Sequence, residues 1–169
     1  GRRVARPMVF RVHDEPSEDK LSRFREVALR ARHYFKASKG RAVAKEMNKL
    51  LTTIAGSAES NAITTLAVRS MAKAVYTTDN IGHYGLAFPY YTHFTSPIRR
   101  YPDMMVHRLV AKYLLQSKAL CRSDKEELEL SCQHCSDCEM AAQMAERDSI
   151  KEMHAKWISN HLGEEFDAV

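Results

Sequence analysis

Apolar residues recur at the spacing of α-helices along most of this chain, and the segments between them are short. The periodicity predicts helices over residues 17–35, 43–55, 58–75, 102–114 and 136–160. Two runs, 8–12 and 82–88, have the short alternating or aromatic-rich composition of extended chain. We therefore expect an α+β fold that is predominantly α-helical, with about five helices and a small antiparallel strand element.

The segment 92–103 holds the most informative polar positions. Arg99 and Arg100 are adjacent and lie between Pro97 and Pro102. Pro102 suits the first turn of the helix that follows, and Asp103 suits the positive end of its dipole. Free N–H groups and two guanidinium groups would then converge at one helix N-terminus, which favours a phosphate ligand. The alternative is that the arginine pair forms only a solvated turn.

Composition limits the number of domains and the classes of partner. The chain has 169 residues and 44% apolar content, enough for one domain with a core, and its net charge is +5. Residues 1–120 hold 21 Lys and Arg against 9 Asp and Glu, which favours a polyanionic partner without proving one. No apolar run has the length of a membrane span, and no signal peptide is visible, so no membrane association is expected.

Four segments, in the same order along the chain, carry a family resemblance. They are FRVHDEP at 10–16, VRSMAKAVY at 68–76, PIRRYP at 97–102 and AERD at 145–148. Together they resemble the RNB-domain exoribonucleases of the ribonuclease II and ribonuclease R family. The resemblance implies processive 3′-to-5′ hydrolysis of single-stranded RNA in the cytoplasm. It also implies that residues 1–169 are the C-terminal half of the RNB catalytic domain, whose N-terminal half would be a partner.

The resemblance also implies roles for individual residues. Arg99 matches the family's catalytic arginine beside the scissile phosphate. Arg100 would bind the neighbouring phosphate or brace the turn, and Ser96 would cap the turn or touch phosphate. The family's Mg²⁺ ligands are aspartates upstream of the matched segments, and no metal ligand is assigned here. Since this chain has no carboxylate cluster to hold Mg²⁺, we expect it to be inactive in isolation.

Glu146 lies on an apolar face of the last predicted helix. The other members of that face are Ala142, Ile150, Met153 and Trp157. We therefore expect Glu146 to be partly buried and to need a donor. An internal arginine, Arg108 or Arg147, is one candidate. The resemblance implies another donor, the 2′-OH of the sugar near the RNA 3′ end, from which a carboxylate can accept a hydrogen bond.

The start of the last predicted helix is rich in cysteine. Cys132, His134, Cys135 and Cys138 fall within seven residues. A zinc site is one interpretation, but a second cluster is missing, so structural cysteines are favoured. Ser136 and Glu139 have capping-box spacing, which predicts that the helix begins there. His83 and His93 could be acid/base groups, but hydrogen-bonded structural histidines are favoured, and Trp157 is expected in the core.

Two functional hypotheses remain open. The chain is part of a magnesium-assisted exoribonuclease, or it is a helical RNA- or protein-binding module without catalysis. In either case, a missing half of the domain would leave apolar surface exposed and promote artefactual self-association.

Overall fold

The computed structural model describes residues 6–37, 40–115 and 122–166. Across these ranges the strands and α-helices are β1 (Phe10–Val12), α1 (Glu18–Arg30), α2 (Gly40–Thr53), α3 (Ser60–Ser70), β2 (Val75–Thr77), α4 (Tyr101–Val110) and α5 (Arg122–Ser159). A π-helical segment, Ala111–Leu115, directly follows α4. The predicted α+β class, with five helices and a small antiparallel sheet, is confirmed. Of the helices in the described part, none is both long enough and apolar enough to cross a bilayer.

Helices α1, α2 and α3 pack into a three-helix unit with its own core. Phe24 and Phe35 meet edge to face, with ring centroids 5.1 Å apart. The buried side chains around them are Leu21, Ala28, Val43, Met47, Leu50, Ile54, Ile63 and Ala67. These positions follow the helical period that the sequence displays, so this unit is an ordinary amphipathic bundle.

The sheet forms the centre of a second core, with α4 and α5 packed against it. Strands β1 and β2 are antiparallel, and Arg11 lies opposite Tyr76. The buried side chains of this core are Val9, Tyr76, Met105, Val106, Leu109, Tyr113 and Cys132. The sheet thus forms the common surface against which α4 and α5 pack.

Helix α1 ends five residues earlier than expected. Arg32 adopts a left-handed backbone with φ of 61°. The backbone N–H of His33 donates to the carbonyl of Ala28 at 2.8 Å, and that of Arg32 donates to Leu29 at 2.9 Å. This is the Schellman pattern of a helix C-terminus, here formed without the glycine that usually marks it.

The prediction that the third helix continues to Val75 is wrong. Helix α3 ends at Ser70, and Met71 is already extended with φ of −64° and ψ of 148°. Val75 and Tyr76 belong to β2, where they pair with β1. The β-branched and aromatic side chains suit a strand, and pairing with a distant segment outweighs the helical periodicity.

The segment 82–88 is not the extended run that its composition predicts. Residues Tyr84–Leu86 form one turn of 3₁₀-helix, and His83 caps it by accepting the Leu86 N–H at Nδ1, 3.3 Å away. Gly82 has φ of 84°, and a Cβ there would lie 3.2 Å from the carbonyl oxygen of Phe88. The glycine is therefore required for the tight return of the chain.

Helix α5 begins at Arg122 and not at Ser136. The hydroxyl of Ser136 donates to the carbonyl of Cys132 at 3.0 Å and accepts the N–H of Tyr76 at 3.0 Å. Glu139 pairs with Arg11 of β1. The prediction that Ser136 and Glu139 cap the start of this helix is therefore wrong, because both side chains contact the sheet from within α5.

A carboxylate also ties α5 to the strand end. Glu129 accepts hydrogen bonds from the hydroxyl of Thr77 (2.8 Å), the N–H of Thr78 (2.7 Å) and the hydroxyl of Thr78. Burial would raise the pKa of Glu129, but these donors outweigh it and the pKa is lowered. Glu129 therefore stays charged at neutral pH and fixes the register of α5 on β2.

Candidate functional site

The two arginines occupy a tight turn immediately before α4. The carbonyl of Ser96 accepts the N–H of Arg99 at 3.3 Å and that of Arg100 at 3.1 Å. Arg100 is extended and is the N-cap residue, and Pro102 falls in the first helical turn. The predicted turn followed by a helix is therefore present, and its proline lies where a missing N–H has no cost.

Asp103 holds this turn from within. It is fully buried, and its Oδ2 accepts the N–H of Ser96 at 2.7 Å and Nη2 of Arg100 at 2.9 Å. Burial would raise the pKa of Asp103, but the Ser96 N–H and the Arg100 guanidinium outweigh it, so the pKa is lowered. A buried carboxylate that stays charged thus connects the beginning of the turn to its end.

Arg100 and Ser96 both face this carboxylate. The Arg100 side chain is only 24% exposed and its guanidinium pairs with Asp103. The Ser96 N–H is used by Asp103, and its carbonyl by the two arginine N–H groups. Both residues therefore brace the turn, and their direct contact with RNA stays a prediction.

Arg99 is the opposite case. It is exposed, and its guanidinium has no hydrogen bond or ion pair with any residue that the structure describes. The same side chain lines a groove of about 870 Å³. A fixed backbone with an unengaged guanidinium at a cleft is an arrangement ready for an external anion.

The groove lies between the arginine turn and α5. One side is formed by residues 99–102, and Tyr76 is also part of the lining. The other side is α5, with the lining residues Glu127, Leu130, Ser131, His134, Cys135, Cys138, Glu139 and Ala142. Its volume is in the range of small-ligand sites, and both apolar and charged groups face it. Sequence reasoning missed the α5 side, because it placed the start of that helix at Ser136.

A polar network lies beneath the groove. Arg11 and Glu139 form a bidentate pair with N···O distances of 2.5 and 3.0 Å. The Arg11 guanidinium lies 4.5 Å from the ring centroid of Tyr76, whose hydroxyl is 2.8 Å from Nδ1 of His93. The network joins β1, β2, α5 and the segment that leads to the arginine turn.

The two histidines considered for acid/base chemistry have structural partners. Burial and the charges of Arg100 and Arg11 lower the pKa of His93 below its ordinary 6.5, so it is neutral at pH 7. Burial and neighbouring His13 also lower the pKa of His83, whose ring stacks on His13 at 5.1 Å. Both are hydrogen-bonded within the fold, as the structural alternative expects.

The expected burial of Glu146 is wrong. Glu146 is exposed, like every other residue of α5 from 141 to 159. The apolar face is present, but no described residue covers it. Neither expected partner is hydrogen-bonded to Glu146: Arg108 donates to the Tyr101 hydroxyl instead, and no described residue pairs with Glu146. Trp157 is likewise exposed and belongs to neither core of the described residues, among which its ring contacts are His161 (4.1 Å) and Phe166 (5.5 Å).

The cysteines of α5 lie in three environments. Cys132 is buried, Cys135 is half-buried and Cys138 is exposed. Burial raises the pKa of Cys132 to about 12 and also raises that of Cys135. Within the described ranges, no group of three or more His, Cys, Asp or Glu side chains is placed to hold a metal ion.

The fold and groove define a mainly helical protein with a small sheet and a cleft at which the Arg99 guanidinium is exposed. A family model, the RNB domain, matches residues 2–116. The chain belongs to the RNB domain family. It is 37% identical over 160 residues to ribonuclease R of Aquifex aeolicus, and 34% identical over 174 residues to that of Escherichia coli strain K12. These alignments cover 95% and 96% of this chain but only 23% and 21% of the relatives, so the chain spans a little over a fifth of their length.

Solved structures agree with this assignment. The apo form of Mycoplasma genitalium RNase R matches with a TM-score of 0.82 and 25% identity, over 94% of this chain and 26% of that one. The same protein in complex with ribose-methylated single-stranded RNA gives a TM-score of 0.81. A yeast pseudonuclease matches with a TM-score of 0.66 and 27% identity, over 81% of this chain and 17% of that one. The expected family is therefore confirmed.

Replacing Asp103 by alanine should destabilise the fold by about 2–3 kcal/mol, because it leaves a half-buried guanidinium and the Ser96 N–H without their acceptor. Since the pKa of Asp103 is below its ordinary 3.8, its contribution is complete above about pH 5 and is lost as the pH falls below 3.8. Chemical denaturation of wild type and variant between neutral and acidic pH measures both effects.

The matched control is Asp148→Ala, which removes another Asp three residues from its basic partner, Lys151, at an exposed position. That change should cost less than about 0.5 kcal/mol at any pH. Equal effects of the two substitutions would contradict a structural role for the buried pair.

Proposed function

We propose that this chain forms the arginine-bearing part of a 3′-to-5′ exoribonuclease that hydrolyses single-stranded RNA. The observation that carries the proposal is the exposed, unengaged guanidinium of Arg99 at the groove, on a turn braced by buried Asp103. Family membership supports it, as do the RNA complexes of M. genitalium RNase R. A cytoplasmic location follows from the resemblance alone.

Arg99 would act on the charge of the scissile phosphate. Phosphodiester hydrolysis places negative charge on the non-bridging oxygens, and a planar guanidinium can donate two parallel hydrogen bonds to them. The backbone N–H of Arg99 donates to the Ser96 carbonyl, so the point from which its side chain extends toward the groove is set by the turn. This role is electrostatic and transfers no proton.

Arg100 and Ser96 would support this site from behind. Their contacts with Asp103 hold the turn, and a neighbouring phosphate could then approach the exposed part of Arg100. Glu146, exposed on α5, would accept a hydrogen bond from the 2′-OH of a sugar near the 3′ end. A carboxylate that faces solvent is available for such a contact, whereas a buried ion pair would not be.

The described residues do not fit a Mg²⁺ site, because they bring no three suitable side chains together. We therefore propose that the Mg²⁺ ligands lie in a segment upstream of residues 1–169, which would form the C-terminal half of the RNB catalytic domain. Exposed apolar side chains support docking of such an N-terminal half. Among them are Ile98 (97% exposed), Leu130 and Met144. Self-association of the isolated chain would have the same origin.

A non-catalytic RNA- or protein-binding module is the second candidate. The similarity to a yeast protein described as a pseudonuclease favours it, since that protein has a comparable fold. The fold alone therefore does not decide between catalysis and binding. Cleavage assays on the complete protein distinguish the two.

The isolated chain, residues 1–169, should not shorten RNA even with added Mg²⁺, since its described residues offer no metal site. Incubation with 5′-labelled single-stranded RNA and analysis on denaturing gels checks this. The complete protein is the positive control. A ladder of 3′-shortened products that co-purifies with the isolated chain would refute the expectation.

In the complete protein, Arg99→Lys should lower turnover by about 100-fold or more with a much smaller effect on RNA affinity. Lysine keeps the charge but loses the planar pair of donors. Single-turnover cleavage and equilibrium binding measure the two quantities separately.

The control for this variant is Arg69→Lys, at an exposed position in the last turn of α3. It should leave both quantities unchanged. Equal losses in affinity and turnover for Arg99→Lys would make Arg99 a plain binding residue.

Glu146→Ala should change discrimination between RNA and DNA, or the length of the end product, without loss of stability. Because Glu146 is exposed, the free energy of unfolding should change by less than about 0.5 kcal/mol. Cleavage of matched RNA and chimeric substrates, together with thermal melting, checks both parts. Glu152→Ala, also exposed on α5, should leave both substrate discrimination and product length unchanged. An unchanged product pattern for Glu146→Ala would reject the ribose contact.

A further inference from the structure

The segment that leads into the arginine turn, residues 89–95, contains no helix or strand. Its position therefore depends on individual contacts with the elements around it. The Tyr91 carbonyl accepts the N–H of Arg11 at 2.9 Å, and the Thr92 hydroxyl donates to the carbonyl of Val9 at 2.8 Å. These two contacts attach the segment to β1 and to the residue before it.

A third contact connects the same segment to the wall of the groove. The Tyr76 hydroxyl lies 2.8 Å from Nδ1 of His93, three residues before the turn begins at Ser96. Tyr76 is one of the groove-lining residues and is only 5% exposed. The groove wall and the approach to the arginine turn therefore meet at this hydrogen bond.

Tyr76 is held from several sides, so its hydroxyl has a defined position. Its backbone N–H donates to the Ser136 hydroxyl of α5 at 3.0 Å, and its strand pairs with β1. The Arg11 guanidinium, itself paired with Glu139, lies 4.5 Å from the centroid of its ring. A tyrosine held at its backbone and at its ring can fix the residue that its hydroxyl bonds relative to the sheet.

His93 lies near the buried pair that closes the turn. Burial, and next the charge of Arg100, lower the pKa of His93, while the charge of Asp103 acts in the opposite direction. The imidazole is therefore neutral at pH 7 and within electrostatic range of both members of the pair. Burial also raises the pKa of Tyr76, whose hydroxyl keeps its proton. A neutral imidazole can accept a hydrogen bond from that hydroxyl at Nδ1 when Nε2 carries the ring hydrogen.

We propose that Tyr76 and His93 are positioning residues for Arg99. Asp103 closes the turn from within, and the Tyr76–His93 hydrogen bond holds the turn against the sheet, so that Arg99 keeps its place at the groove. A misplacement of about 1 Å caused far from the chemistry can cost about 100-fold in rate. The role rests on the proposed function, because it affects hydrolysis only through Arg99.

The first test asks whether the hydrogen bond holds the turn, and it needs no activity. Tyr76→Phe keeps the buried ring beside Arg11 but removes the hydroxyl that contacts His93. In the complete protein, hydrogen–deuterium exchange of the backbone N–H groups at 96–100 should become several-fold faster. Exchange at the wild-type rate would overturn the positioning role.

Tyr113→Phe is the matched control. Tyr113 belongs to the same core, is 6% exposed, donates its hydroxyl to the Pro7 carbonyl at 2.7 Å and has the Arg6 guanidinium 5.2 Å from its ring centroid. The variant thus loses the same group from an equally buried position that is not bonded to the approach to the turn. It should change neither the exchange at 96–100 nor the turnover. Equal effects of the two substitutions would indicate a general loosening of the core and would overturn the proposal.

The second test measures single-turnover cleavage and equilibrium binding of single-stranded RNA by the complete protein. Tyr76→Phe should lower turnover about tenfold and change affinity by less than about twofold. In the Arg99→Lys background the same change should have almost no further effect, because the interaction that it supports is already lost. Independent losses that multiply in the double variant, or equal losses of affinity and turnover, would contradict action through Arg99.

His93 allows a rescue experiment. The side-chain amide in His93→Asn can still bond the Tyr76 hydroxyl, whereas the side chain in His93→Leu cannot. The first variant should keep most of the turnover, and the second should lose about as much as Tyr76→Phe; equal losses would overturn the role of the hydrogen bond. If the wild-type protein cleaves no RNA, the proposed function fails, while faster exchange at 96–100 in Tyr76→Phe still supports the contact that holds the turn.

Discussion

The contact on which the site depends is the buried carboxylate of Asp103, which joins the N–H of Ser96 to the guanidinium of Arg100. A charged group in a fully buried position has a large desolvation cost, and here the cost is offset by donors from both ends of one short turn. Through these two contacts, Asp103 holds the first and last residues of the arginine turn together. Arg100 also lines the groove, but its guanidinium is paired with Asp103, so Arg99 is the one of the two whose guanidinium no described residue engages.

The same arrangement repeats around the groove. Glu139 holds Arg11 against Tyr76, and Glu129 holds the end of β2, so carboxylates of α5 fix the sheet on which the turn rests. Each of these acids has its donors within the fold. The Arg11 guanidinium is neutralised in this way, as that of Arg100 is by Asp103.

Sequence reasoning succeeded where the determining signals are local. Pro102 and Asp103 mark a helix N-terminus through their own backbone and dipole preferences, so the start of α4 and the position of Arg99 before it could be predicted. It failed where a distant partner decides. Val75 leaves the helical pattern because β1 pairs with it. Ser136 lies inside α5, where its hydroxyl accepts the N–H of Tyr76 instead of capping a helix start. For Glu146, periodicity identified an apolar face correctly but carried no information on whether another part of the protein covers it.

Helix α5 is a single unbroken element of 38 residues, with its groove-lining contacts in the first half. The twenty residues beyond Glu139 extend about 30 Å, and an α-helix of that length bends little. Over this lever arm, a rotation of about 2° at the Arg11–Glu139 pair displaces the distal end by about 1 Å, and the converse holds equally. A contact at the exposed end near Trp157 that tilts α5 would therefore also change the width of the groove.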